Sequence, residues 1–167
     1  MFSTVDHRSL LASENMSPRD ASCLLDNARK LQQAARAGTP QALLRGKNLG
    51  LLCAADDDMD AVYFRRAAEA LGAHVAHIAP SLSALSPPQE VEHTARLLGR
   101  LYDGVECQGV APELVQRISQ EAGIPVYDGV ARPSHFTARL ADLLGGGASP
   151  DENRRFVLQA VLLSTMA

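Results

Sequence analysis

Four carboxylates, Asp56, Asp57, Asp58 and Asp60, crowd into one short stretch, CAADDDMDA, of this 167-residue chain. Side chains of that type support three kinds of chemistry. They can cap a helix N-terminus, where the backbone dipole favours negative charge. They can hold a hard cation such as Mg²⁺ or Ca²⁺. They can also dock a basic partner. The D-x-D-x-D-G spacing with a distal Glu is absent, so the helix-cap reading leads and no metal site is expected. His74 and His77 are three apart in a predicted strand, which puts them on opposite faces, poor geometry for a shared metal. His135 sits at a predicted helix start, where a structural role is the simpler reading. Cys23, Cys53 and Cys107 are odd in number and too scattered for a zinc site. Gly145-Gly146-Gly147 follows a helix and lacks the Lys-Ser/Thr tail of a phosphate loop. No Ser-His-Asp constellation can be assembled, because nothing places its third member.

The elements that position the acidic stretch can be read from Gly46 to Ile78. Leu49 to Cys53 is a short apolar run, as in a buried parallel strand. After the acidic stretch, Phe64, Ala67, Ala68 and Leu71 recur at helical spacing, and Gly72 ends the helix. Ala73 to Ile78 is a second apolar run. Strand, loop, helix and strand make one βαβ unit with a right-handed crossover. In such sheets the loop after the strand faces the ligand crevice. Here that loop carries four carboxylates and no base, so it is badly suited to an anion.

The remaining elements follow in chain order. Residues 1–16 read as an irregular arm. Ser17 caps a helix with Pro18 in its first turn, and Leu24, Ala28 and Leu31 mark its apolar face. A short helical linker, Gln41 to Arg45, leads to the first strand. Ser86 is expected to cap a third helix, with Val91, Ala95 and Leu98 inward. Leu101 to Cys107 is the third strand, interrupted by Asp103-Gly104. Pro112 starts a fourth helix that Gly123 stops. Ile124 to Tyr127 is a short edge strand. Ser134 is expected to cap a fifth helix running through Leu144. Ser149-Pro150-Asp151-Glu152 is a capping box for a last helix that is apolar on most sides and must be covered, by this domain or by another subunit.

Four strands alternating with helices predict a single three-layer α/β/α domain with a parallel sheet. The net charge of −3 and the absence of a basic run argue against a nucleic-acid partner. No stretch has transmembrane length and the N-terminus lacks the apolar core of a signal peptide, so a cytoplasmic protein with reduced thiols and no membrane partner is expected.

These residues carry a family resemblance. LLRGKNLGLL, the GAHV of Gly72 to Val75, TARLLGRLYDGVE from Thr94 to Glu106 and AGIPVYDG from Ala122 to Gly129 resemble the carbamoyl-phosphate domain of ornithine carbamoyltransferase and, more distantly, of aspartate carbamoyltransferase. His135 and the LADLL of Leu140 to Leu144 fit the same pattern. PDENRRFVLQAVLLSTMA looks like the family's closing helix, which follows its second, amino-acid-binding domain. The resemblance implies a sheet of order 2-1-3-4, an α/β domain over 17–144, a glycine-rich joint over 145–149 in place of the second domain, and a closing helix over 150–167. Neither the family's HCLP motif nor its SMG loop occurs.

The resemblance also locates a ligand pocket. The family grips carbamoyl phosphate with S-T-R-T-R, and unbroken alignment puts Asp57, Asp58, Met59, Asp60 and Ala61 there. The arginine after the third strand is Gln108, and a basic position before the third helix is Pro88. Of the H-P-T-Q motif, His135 and Thr137 survive, whereas Phe136 and Ala138 replace the other two. A phosphate dianion needs helix amides and guanidinium donors, and each like charge at ~4 Å costs on the order of 1 kcal/mol in water. The expectation is therefore a non-catalytic carbamoyltransferase-like pseudoenzyme, a structural, regulatory or binding subunit without cofactor. It would assemble as a homotrimer or as a hetero-oligomer with a full-length transcarbamoylase. The alternatives are a repurposed small-ligand pocket and an enzyme completed by a partner chain.

Overall fold

The computed structural model describes residues 1–11, 16–55 and 57–166. Four short apolar runs become strands: β1 (Asn48–Leu52), β2 (His74–Ile78), β3 (Gly104–Cys107) and β4 (Val126–Asp128). They pair in parallel in the order β2-β1-β3-β4, as expected. Parallel neighbours require crossovers, and the crossover helices cover both faces. Side-chain alternation sorts the core. Leu49 and Leu51 pack with α2 (Pro18–Arg36), α3 (Met59–Glu69) and α7 (Pro150–Met166). Leu52, Val105, Cys107 and Val126 pack with α4 (Pro88–Leu101) and α5 (Pro112–Ala122). Because all four strands run the same way, the loops after β1, β3 and β4 emerge along one edge of the sheet.

Local chemistry explains most boundaries. Ser17 accepts the Asp20 amide at the start of α2, and Ser149 and Glu152 form the expected reciprocal box before α7. Gly123 closes α5 in the left-handed conformation, φ 70°. Gly99 is required for another reason: a Cβ there would fall on the carbonyl oxygen of Ala122, so only glycine lets α4 lie this close to the end of α5.

Several expectations need correction. The N-terminal arm is packed rather than irregular. It contains α1 (His7–Leu11), Val5 and Leu10 are buried, and Ser3 exchanges hydrogen bonds with Asn27. Gln41 to Arg45 forms no helix; a turn spans 43–46. Pro87, not Ser86, precedes α4, and the Ser86 hydroxyl instead accepts the Ser83 amide. Leu101 belongs to the end of α4 and is 58% exposed, so its apolar character did not mark a strand. His135, not Ser134, caps the next segment, which begins as a 3-10 turn (Phe136–Arg139) before α6 (Leu140–Leu144).

Helix α7 is buried on nearly every side. Phe156, Val157, Leu158, Val161, Leu162 and Leu163 all lie in the core against α2, α3 and α6. Each such side chain contributes about 2 kcal/mol of burial. The single chain therefore covers this helix itself and leaves little of it for a neighbouring subunit. The exposed element is β2, an edge strand on which His74, Ala76 and His77 face solvent.

Candidate functional site

Helix α3 begins at the mouth of the sheet edge. Asp58 is its N-cap, and its Oδ1 accepts the amides of Asp60 at 3.0 Å and Ala61 at 3.1 Å. The positive end of the helix is thus already satisfied by the chain's own carboxylate. Asp60, in the first turn, adds a second negative group. Asp57 and Asp58 are exposed, as is Met59 at 78%. Asp56 lies outside the described residues. The helix-cap reading of the acidic stretch is therefore correct for Asp58.

Gln108 leaves the C-terminal end of β3 and turns toward this loop. Its amide donates to Asp60 Oδ2 at 3.4 Å, a long contact, while its buried Oε1 has no hydrogen-bond partner among the described residues. The structure therefore joins Asp58, Asp60 and Gln108 into one cluster. Pro88 is the first residue of α4. His77 reaches across from β2, with Nε2 2.8 Å from the Cys53 carbonyl oxygen at the end of β1.

His135 and Thr137 form a second group after β4. His135 Nδ1 accepts the Thr137 amide at 3.3 Å and lies 2.7 Å from the Thr137 hydroxyl. Burial, reinforced by nearby Arg132, lowers the His135 pKa to about 4. The ring is neutral at pH 7 and adds no positive charge to the sheet edge. Its other face stacks on Phe136, with ring centroids 4.4 Å apart. Arg132 turns back to Asp128, 3.1 Å away, and to the Asp128 carbonyl. A guanidinium held in this way is committed to its own loop.

Sequence reasoning missed Glu106. This carboxyl is fully buried and organises the loop after β4 by accepting the amides of Gly129 at 2.6 Å and Val130 at 3.0 Å. Burial pushes its pKa up to about 8, against the pull of those two amides. A charged residue inside the buried run Gly104–Cys107 was the available signal. Among the described residues, no group of three or more His, Cys, Asp or Glu side chains could hold a metal ion. No helix among them is long and apolar enough to cross a membrane.

Comparison with known proteins accounts for this architecture. The family described as aspartate/ornithine carbamoyltransferase, carbamoyl-P binding domain, matches residues 8–145. The chain belongs to the aspartate/ornithine carbamoyltransferase family. It is 37% identical over 144 residues to an ornithine carbamoyltransferase of Actinobacillus pleuropneumoniae serotype 5b (strain L20), covering 86% of this chain and 43% of that protein. The same identity and coverage hold for an ornithine carbamoyltransferase of Haemophilus influenzae (strain PittGG). Among solved structures, ornithine carbamoyltransferase from Pyrococcus furiosus superposes with a TM-score of 0.68 at 24% identity, covering 84% of this chain and 45% of that one. The Thermus thermophilus ornithine carbamoyltransferase gives 0.64 at 26% identity, covering 84% and 48%. The chain thus spans less than half the length of these relatives, the part that corresponds to their carbamoyl-phosphate domain.

Proposed function

We propose that this carbamoyltransferase relative is a pseudoenzyme, a non-catalytic structural, regulatory or binding subunit. The observation that carries the reading is the Asp58 carboxylate seated on the N-terminal amides of α3. In the family resemblance these positions grip the phosphate, and here an anion would meet amides already bonded, with Asp60 beside them. Gln108 stands where a guanidinium is expected and is engaged with Asp60. His135 is neutral at pH 7, so it offers no charge in compensation. A like-charge approach of ~4 Å costs about 4 kcal/mol at the effective dielectric of a partly screened cleft. Loss of bidentate arginine contacts removes the donors that would offset it.

The family resemblance extends the proposal to assembly, as a homotrimer or with a full-length transcarbamoylase, in the cytoplasm. With α7 self-covered, such contacts would use the exposed β2 edge and the outer surfaces of α3 and α4. A repurposed pocket is the second reading, favoured by the buried Gln108 Oε1 without a donor. It would take a cationic or hydrogen-bond-donating ligand rather than a phosphate. Equilibrium dialysis with labelled carbamoyl phosphate separates these possibilities from retained family function. The proposal expects no retention by the protein, and saturable retention at micromolar concentration would overturn it.

A further inference from the structure

A cleft of about 390 Å³ lies at the other end of the sheet, away from the acidic loop. Its walls come from α2, from the segment before β1, from the turn between α3 and β2, and from α7. Leu31, Ala34, Leu43, Leu71 and Phe156 make it largely apolar. The charged residues lining it are Lys30 and Arg155, with no carboxylate among them. This is the composition of a small-molecule site: a volume within roughly 300–1,000 Å³, apolar walls and a few convergent polar groups. We propose that the cleft binds a small carboxylic acid with an apolar body, its carboxylate held by Lys30 and Arg155.

The two cations differ in how far the chain already occupies them. Lys30 Nζ donates to the Met1 carbonyl at 2.6 Å and lies 5.6 Å from the centre of the Phe2 ring, leaving further ammonium donors. Among the described residues, Arg155 finds no acceptor for its buried Nε. Its guanidinium rests 5.1 Å from the centre of the Phe156 ring. The neighbouring carboxylate, Glu152, is occupied as the acceptor of the Ser149 amide and hydroxyl. Arg155 and Phe156 also line an adjoining cavity of about 270 Å³, where Arg36 contributes another guanidinium and Glu152 a carboxylate. A carboxylate in the larger cleft would meet Arg155 and Lys30, while its apolar body lies along Leu31, Leu43 and Leu71. At about 30 Å³ for each water-sized group, the cleft accommodates on the order of a dozen heavy atoms. Gln159 lines the same cleft, but its amide nitrogen is already bonded to the Ala67 carbonyl at 3.0 Å and serves the wall rather than the ligand.

Decanoate is the probe, used below its micelle concentration with the full chain untagged at its N-terminus, because Met1 and Phe2 border the cleft. Calorimetry should give saturable binding of one decanoate per chain, with decanol about tenfold weaker for want of the charge-assisted contacts. The Lys30→Gln, Arg155→Gln double variant should lose the preference for decanoate over decanol. Ala34→Trp, which fills the cleft, should lose both ligands. If that variant does not fold, the methyl resonances of Leu31, Leu43 and Leu71 in the wild-type chain provide the same localisation, and they should shift on addition of decanoate. Absence of saturable binding to the wild-type chain overturns the proposal. So does undiminished preference in the double variant, or methyl shifts confined to other regions.

Discussion

Substitution of Glu106 separates two effects of one buried carboxyl, its hydrogen bonds and its titration. Burial raises its pKa from 4.5 to about 8, with the Gly129 and Val130 amides opposing and Asp128 assisting. The folded chain therefore holds this proton more tightly than the unfolded chain does. Its stabilising contribution is complete below about pH 4.5 and is lost as pH rises to about 8. At ~1.4 kcal/mol per pH unit, the ceiling on that loss is about 5 kcal/mol. Glu106→Gln removes the titration but sets an NH₂ group against one of the two backbone amides, a pH-independent cost of about 1–3 kcal/mol. The slope of stability against pH is therefore diagnostic, and its height is not. Glu106→Leu likewise removes this titration, and it leaves the Val130 amide without its acceptor while the Gly129 amide keeps the Cys107 carbonyl at 2.9 Å, costing about 1–3 kcal/mol at low pH. Urea unfolding followed by far-ultraviolet circular dichroism between about pH 5 and about pH 8.5 measures all three chains. His135, with its pKa lowered to about 4, adds stability as pH rises to about 6.5 in every variant, so the readout is the difference: the wild-type stability minus that of Glu106→Gln should fall by several kcal/mol from about pH 5 to about pH 8. Parallel curves for wild type and Glu106→Gln would refute the assignment of this carboxyl as the titrating group.

Further outcomes follow from local geometry. Asp58→Ala should destabilise the fold by about 1 kcal/mol through loss of the α3 cap, whereas Asp58→Asn should be close to neutral, both read by thermal melting. Gly99→Ala should cost about 3 kcal/mol or more, because its Cβ would fall on the Ala122 carbonyl oxygen and force α4 from α5; chemical denaturation measures the loss. Light scattering over a dilution series should give the mass of three chains if the proposed self-assembly holds. A constant single-chain mass up to ~100 μM would exclude self-association stronger than about −5 kcal/mol and leave only a heteromeric partner.

Strand order and layer arrangement were legible because the signals are local and repeated. The runs of β1 and β3 are each followed by a helix that gives way at Gly72 or Gly123, and the family pattern supplied the order. Errors arose where a residue's environment is set from far away. Leu101 looked like strand because it is apolar, yet it completes the exposed side of α4 before Tyr102 turns extended. The N-terminal arm is held by Asn27 and by the Ser164 carbonyl, partners that no local pattern announces. At the candidate site, Asp58, Asp60 and Gln108 could be aligned with family positions, but the pairing of Gln108 with Asp60 needed β1 and β3 to be adjacent. Glu106 was passed over because its acceptor role depends on amides contributed by the loop after β4. Ser134 and His135 are both able to cap a helix, and the choice of His135 came with the short bond to Thr137.

The most direct measurement is a paired calorimetric titration with carbamoyl phosphate. One sample is the wild-type chain. The other replaces residues 57–61 with Ser-Thr-Arg-Thr-Arg and also carries Gln108→Arg. If Asp58, Asp60 and the missing guanidiniums are what close the site to anions, the wild type gives no saturable heat and the substituted chain, folded by circular dichroism, binds. Micromolar affinity in the wild type, or no gain in a folded substituted chain, would contradict the account.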